Sequence, residues 1–254
     1  MPKSLHEIAA SFDTDKVESN TYIANFERHF GPLRHGPVKM LELGVFRGGS
    51  MHTWHEYFAQ GLIVGLDMRP NPIANMPDRM RFYQGSQDDT QLLDRIASEC
   101  APEGFDVVLD DASHFGKLTR ASYRNLFHKH LKPGGIYVVE DWGTGYWGNW
   151  SDGSLYRPAD ESLARDLDSH SSLSGRLTRK LRQLFGRKRP PHLDSDSSFS
   201  VNNFGMVGFI KELVDEVAWL DITAPNRGDA SLGRRESTIR EMTLYCGHAF
   251  VVKA

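Results

Sequence analysis

From Pro37 onward, short runs rich in Val, Ile and Leu alternate with longer stretches of helical character. VKMLELGV (38–45) reads as a buried strand, and a helix follows over about 49–58. LIVGLD (62–67), MRFYQGS (80–86), FDVVLDD (105–111) and GIYVVED (135–141) read as four further strands. Helical stretches are expected at 91–100 and 117–129. Later, MVGFIKELVDEV reads as a helix, while WLDIT and LYCGHAFVVK read as two closing strands that could form an antiparallel edge pair. Parallel neighbours need a crossover between them, usually a helix, and strands covered on both faces show as continuous apolar runs. The alternation therefore predicts an α/β fold. It is a Rossmann-like, doubly wound, mostly parallel sheet with an antiparallel edge and helices on both faces.

The 254 residues suffice for a single domain with a sizeable core, expected to span 1–254. Apolar residues make up 39% and charged residues 25%, as in an ordinary soluble protein, and the net charge of -3 gives no global attraction to nucleic acid. Cys100 and Cys246 lie far from any metal-ligand spacing and are expected to be reduced thiols. The first residues, MPKSLHEIAASFDTDK, show no apolar signal core, and no run of about 18 apolar residues occurs, so a cytoplasmic protein without a transmembrane segment is expected. One stretch breaks the pattern. Residues 169–193 hold seven Lys or Arg and no acidic residue, inside a segment (151–200) that reads as an insertion or lid. Leu173, Leu177, Leu181 and Leu184 recur there near helical spacing. A basic amphipathic helix could touch an anionic membrane surface, cover a site, or simply be a solvated insert.

In open α/β sheets, ligands bind outside the carboxyl ends of the strands. The first strand runs into Glu42-Leu43-Gly44-Val45-Phe46-Arg47-Gly48-Gly49-Ser50. Its glycines let backbone approach a ligand, and the following helix offers free N–H groups at its start, so Gly44, Gly48 and Ser50 are candidate cofactor contacts. Asp67, at the end of the second strand, is placed to accept hydrogen bonds from ribose hydroxyls. These features suit a nicotinamide dinucleotide or S-adenosylmethionine. The turn does not spell G-x-G-x-x-G, which disfavours the dinucleotide.

The fourth strand ends Asp110-Asp111-Ala112-Ser113-His114 and the fifth ends Glu140-Asp141. If the two strands are neighbours, four carboxylates and an imidazole share one sheet edge. Carboxylates so crowded call for a cation, and oxygen ligands favour a hard one: Mg²⁺ first, with Mn²⁺ or Ca²⁺ as alternatives. Asp111, Glu140 and Asp141 are the expected metal ligands, with Asp110 facing the cofactor. His114 is the expected general base for a hydroxyl whose acidity the metal raises. Trp142, Tyr146, Trp147 and Trp150 then crowd one loop. Indole and phenol faces suit sugar rings, so Trp142 and Tyr146 are candidate substrate contacts.

The turn Leu131-Lys132-Pro133-Gly134-Gly135 resembles the L-x-P-G-G turn of class I S-adenosylmethionine-dependent methyltransferases. LELGVFRGGS, FDVVLDDASH and LKPGGIYVVEDWGTGYW together resemble the metal-dependent macrolide-sugar O-methyltransferases of the macrocin and mycinamicin type and related bacterial glycoside O-methyltransferases. Thr14-Asp15-Lys16 and Tyr22 resemble that family's N-terminal region, which closes over the cofactor, so residues 1–36 are expected to be a helical cofactor cover. The resemblance implies that Glu42 lies near the methionine end of the cofactor and that Gln87 and Asp88 contact adenine. It implies Tyr22 as a further cofactor contact, and matches the family's metal ligands and base to Asp111, Glu140, Asp141 and His114. It also implies a homo-oligomer. The function expected is transfer of a methyl group from S-adenosylmethionine to a sugar hydroxyl of a glycoside or oligosaccharide. A catechol-type O-methyltransferase, which also pairs a metal with vicinal hydroxyls, and a non-catalytic cofactor-binding partner protein are the alternatives.

Overall fold

A computed structural model of the chain describes residues 2–17, 20–155, 204–224 and 234–254. The basic stretch 169–193, and the expected insertion beyond residue 155, lie outside the described residues. Seven strands form one sheet in the order β3-β2-β1-β4-β5-β7-β6. They are β1 (Lys39–Leu43), β2 (Leu62–Asp67), β3 (Met80–Gln84), β4 (Phe105–Asp110), β5 (Leu131–Glu140), β6 (Ile239–Leu244) and β7 (His248–Lys253). The first five are parallel, whereas β7 runs antiparallel to both β5 and β6. Chain order reverses between β1 and β4, which is where a ligand crevice is expected in a doubly wound sheet.

Side chains alternate across the sheet with period two, and each face has its own helices. Leu41, Leu43, Val64, Val108, Tyr137, Val139 and Val251 face α4 (Thr90–Cys100), α5 (Gly116–Asn125) and α6 (Gly205–Val217). Met40, Ile63, Val107, Leu109, Val138 and Phe250 face α1 (Leu5–Ala9), α2 (Asn20–Phe30) and α3 (Gly49–Tyr57). Phe26, Phe30, Trp54 and Phe250 pack ring against ring on this second face. Burial on both faces is what gives the strands their continuous apolar runs.

The closing elements differ from expectation. WLDIT is not a strand: Trp219–Ile222 forms α7, a short helix directly after α6. The Ile222 and Thr223 amides bond back to Ala218 and Trp219, so local helical bonding continues past the end of α6. The antiparallel edge is instead a hairpin made within IREMTLYCGHAFVVK. Gly247, at φ 83°, takes the left-handed turn between β6 and β7. IREMTL is half exposed at the sheet's edge, so its apolar pattern is weak.

A buried aspartate ties the site-side loops together. Asp152, 1% exposed, accepts hydrogen bonds from the backbone amides of Gly116 and Met206, each at 2.7 Å. These amides open α5 and α6, so one carboxylate satisfies free donors at two helix starts.

Candidate active site

A cavity of about 820 Å³ opens at the carboxyl ends of the strands around the β1/β4 switch point, within the size range of small-molecule sites. Its floor is the turn after β1. Gly44 sits at φ 90°, and a Cβ there would overlap the Asp111 carbonyl, so only glycine lets the turns after β1 and β4 close together. A Cβ on Gly49 would likewise overlap the Asp13 carbonyl, so the N-terminal segment rests directly on the start of α3. Asp67 holds the turn from the side. Its Oδ2 accepts from the Val45 and Phe46 amides at 2.9 and 3.0 Å, and its Oδ1 accepts from the Arg69 amide at 2.8 Å.

Of the expected site residues, Gly44, Ser50, Asp67, Gln87, Asp111, His114 and Asp141 line this cavity. Others do not, and each has a physical reason. Asp110 turns into the protein, where Ser122 and Tyr137 hydroxyls donate to its Oδ2 at 2.8 Å each, so it does not face the cofactor space. Burial raises its carboxyl above the usual range. Gln87 reaches the cavity wall, but its amide is already committed. Nε2 donates to Asp110 at 3.0 Å and Oε1 accepts from the Ser113 amide at 3.1 Å, which clamps the loop after β4. Asp88 is exposed outside the cavity and accepts from the Ser86 hydroxyl, while Asp89 caps α4. Gly48 lies behind the lining, in the left-handed cap position of α3. Trp142 donates its indole N–H to the Tyr245 carbonyl at 3.0 Å and packs on the core. Tyr146 packs against Trp142, also outside the cavity. Of the loop's aromatics it is Trp150 that lines the cavity, and its indole N–H donates to the His114 carbonyl at 3.1 Å.

At one end of the cavity, Asp111, His114 and Asp141 each offer a ligand atom, and these atoms lie within 4.8 Å of one another. The parallel register of β4 and β5 sets Asp110 against Val139 and brings the two strand ends together. His114 Nε2 is 3.7 Å from Asp111 Oδ1 and 3.9 Å from Asp141 Oδ2. His114 and Asp141 both adopt left-handed backbone, at φ 49° and 52°. His and Asp tolerate that region better than most residues, and it turns both side chains toward one point. Two carboxylates and an imidazole form a donor set that fits a divalent cation. His114 Nδ1 is buried without a partner among the described residues, so the ring is held by packing against Trp150 and by its backbone.

Glu140 does not join this group. Its Oε1 accepts from the Lys16 ammonium at 2.7 Å, and its Oε2 lies 3.7 Å from the buried His248. Lys16 also donates to Asp111 Oδ2 at 2.9 Å. Tyr22, expected at the cofactor, donates its hydroxyl to Asp141 Oδ1 at 3.0 Å and packs its ring, tilted by 57°, against His248. The residues that sequence reasoning missed are thus Lys16 as an internal cation and His248, while Trp150 stood only as one of four loop aromatics. Lys16 stood only within a resemblance, because nothing in its sequence neighbourhood shows that a strand end 95 residues away is its partner.

The charges are strongly perturbed. Burial alone would lower the Lys16 ammonium, but Asp111, Glu140 and Glu42 raise it well above its usual value. Burial works against ionised Glu140, yet Lys16 and His248 pull its carboxyl down to about 2. Asp111 is pushed up, first by burial and then by the charge of Glu140, while Lys16 pulls it down.

Glu42 is fully buried under the cavity floor, where Trp54 Nε1 donates to it at 3.2 Å, and burial raises its carboxyl to about 7. A carboxyl raised in the folded state keeps a proton that the unfolded chain releases. Its effect on stability is therefore most favourable below the unfolded value and declines as pH rises through the folded one. Stability of the ligand-free protein is expected to fall between about pH 4.5 and 7 from this group, by about 3 kcal/mol at 1.36 kcal/mol per pKa unit. Glu42→Gln keeps an acceptor for Trp54 and should be the more stable protein at pH 8. Urea melts of both forms across pH check this, and equal slopes would contradict it.

No family model matches the chain. Curated relatives include mycinamicin VI 2''-O-methyltransferase of Micromonospora griseorubida, 38% identical over 151 residues, which are 56% of this chain and 37% of that protein. A tetracenomycin 3'-O-methyltransferase of Streptomyces olivaceus is 40% identical over 153 residues, covering 57% of this chain and 38% of that one. Demethylmacrocin O-methyltransferase of Streptomyces fradiae is 36% identical over 151 residues, covering 56% and 37%. Among solved structures, the MycE methyltransferase of the mycinamycin pathway, in complex with Mg and SAH, superposes with a TM-score of 0.68 at 28% identity. That match covers all of this chain and 55% of MycE. The chain thus matches less than two fifths of the curated relatives' length and about half of MycE. Across the span it shares with them, the chain has the Rossmann-like class I methyltransferase fold and is similar to the sugar O-methyltransferases of macrolide and polyketide glycosides.

Proposed function

We propose that the chain transfers a methyl group from S-adenosylmethionine to a sugar hydroxyl of a glycoside or oligosaccharide, with help from a hard divalent cation. The observation that carries this is the Asp111–His114–Asp141 group at one end of the cavity, in a chain 28% identical to a MycE solved with Mg and SAH. A second MycE complex also contains mycinamycin VI, which supports a glycoside acceptor.

The cofactor would lie along the turn after β1, with Gly44, Ser50 and Asp67 beside it and Glu42 beneath. Asp111 and Asp141 would hold the cation, Mg²⁺ first and Mn²⁺ second, with Glu140 behind them. When bound, the cation supplies positive charge that makes an acceptor hydroxyl easier to ionise. His114 Nε2 faces the two carboxylates and takes the hydroxyl proton. The acceptor oxygen attacks the sulfonium methyl carbon, the carbon–sulfur bond breaks, and S-adenosylhomocysteine leaves with the sulfur lone pair. The chain's contribution is alignment and placed charge.

No helix among the described residues is long and apolar enough to cross a membrane. We place the reaction in the cytoplasm, where thiols such as exposed Cys246 stay reduced. A homo-oligomer would cover the exposed Val214, Val217, Leu220 and Leu244 near the β6 edge. A catechol-type acceptor is the competing reading, because it too needs a cation and a base. S-adenosylhomocysteine formation on a panel of macrolide glycosides, simple glycosides and catechols tests the choice. Turnover confined to glycosides is expected, and turnover confined to catechols would replace the sugar assignment.

A further inference from the structure

The segment Asp13–Lys16 does two things at once. Asp13, Thr14, Asp15 and Lys16 line the cavity, and the Lys16 ammonium, on a residue 3% exposed, is bonded to Asp111 and Glu140. Its charge therefore sits against carboxylates at the cation site, while its backbone belongs to the wall of the cofactor space. Asp111 is shared: one oxygen faces Lys16 and the other faces His114. Resting on the function proposed above, we propose that Lys16 is a positioning residue that links the two ligands. It anchors the cofactor-lining segment to the carboxylates of the metal site, and its charge limits how tightly those carboxylates hold a divalent cation.

The two roles have opposite signs, which separates them from a plain structural strut. Removing the ammonium leaves the cluster more negative by one charge, so cation affinity rises. A divalent and a unit charge about 5 Å apart, at a bulk-water dielectric, repel enough to change affinity roughly tenfold. Removing the same group takes away the segment's bonds to Asp111 and Glu140 and loosens its Lys16 end, so cofactor affinity falls, because a segment that must be ordered on binding weakens it. Losing a strut would instead weaken both ligands together.

The test uses the full chain, with Mn²⁺ as the metal probe read by electron paramagnetic resonance and S-adenosylhomocysteine read by calorimetry. Wild type, Lys16→Met and Lys16→Arg are compared, each with its thermal melt. Lys16→Met is expected to bind Mn²⁺ roughly tenfold tighter and S-adenosylhomocysteine several-fold more weakly. Lys16→Arg, which keeps the charge, should restore Mn²⁺ affinity toward wild type. Both affinities falling in Lys16→Met, or neither moving, overturns the proposal while the wild type's own binding upholds the site. A wild type that binds neither probe overturns the proposal and the function together. If Lys16→Met fails to fold, Lys16→Gln provides the same charge removal with a polar side chain.

Discussion

Replacing His114 by alanine is expected to lower methyl transfer by roughly 10²- to 10⁴-fold, the usual loss when a positioned general base is removed. The fold should survive, because the His114 side chain makes no hydrogen bond among the described residues beyond its approach to Asp111 and Asp141. The neighbouring backbone is held from elsewhere: the Trp150 indole bonds the His114 carbonyl, and Asp152 bonds the Gly116 amide. The same variant decides what the imidazole does. Its Nε2 lies near both carboxylates, a position open to a base and to a third cation ligand. As a base, His114 can be removed with Mn²⁺ affinity unchanged while turnover collapses. As a ligand, its removal lowers Mn²⁺ affinity and turnover together. Single-turnover rates with saturating cofactor, beside Mn²⁺ titrations, separate the cases. Unchanged turnover would remove His114 from the chemistry.

Asp141→Asn is the second large effect. Asparagine tolerates the left-handed backbone at φ 52° and keeps an acceptor for the Tyr22 hydroxyl, so the variant removes charge with little change of shape. Cation affinity depends strongly on the number of charged ligands. Mn²⁺ binding should weaken by at least about tenfold, and turnover lost at low Mg²⁺ should return in part at high Mg²⁺. Loss of turnover that excess Mg²⁺ never restores, with Mn²⁺ affinity intact, would show that Asp141 serves the acceptor and not the cation.

The central sheet was legible because buried parallel strands are continuous apolar runs, and β1, β2, β4 and the pairing half of β5 are of that kind. The end of the chain was harder. β6 is a half-exposed edge strand, and Trp219–Ile222 carries strand-like residues in a short helix fixed by the end of α6. Within the site, residues that stand at strand ends could be placed by the rule that ligands gather there. Asp111, His114 and Asp141 meet for that reason. Side-chain direction was not legible. Asp110 and Asp111 are adjacent, so a strand sends them to opposite faces, and only the partners Ser122 and Tyr137 show which one turns inward. Glu140 and Tyr22 contact Lys16, His248 and Asp141 across more than a hundred residues, pairings that no local pattern shows. In the aromatic loop, Trp150 lines the cavity, while Trp142 secures the loop to the core, a division that spacing alone does not show.

The most direct measurement is S-adenosylhomocysteine formation by the wild-type chain on a macrolide glycoside. It is followed as metal is stripped with EDTA and then restored with Mg²⁺. Turnover that vanishes with EDTA and returns with Mg²⁺ is the expected result, because Asp111, His114 and Asp141 bring three ligand atoms together at one end of the cavity. Turnover on the glycoside that proceeds undiminished in EDTA would contradict a metal-assisted transfer.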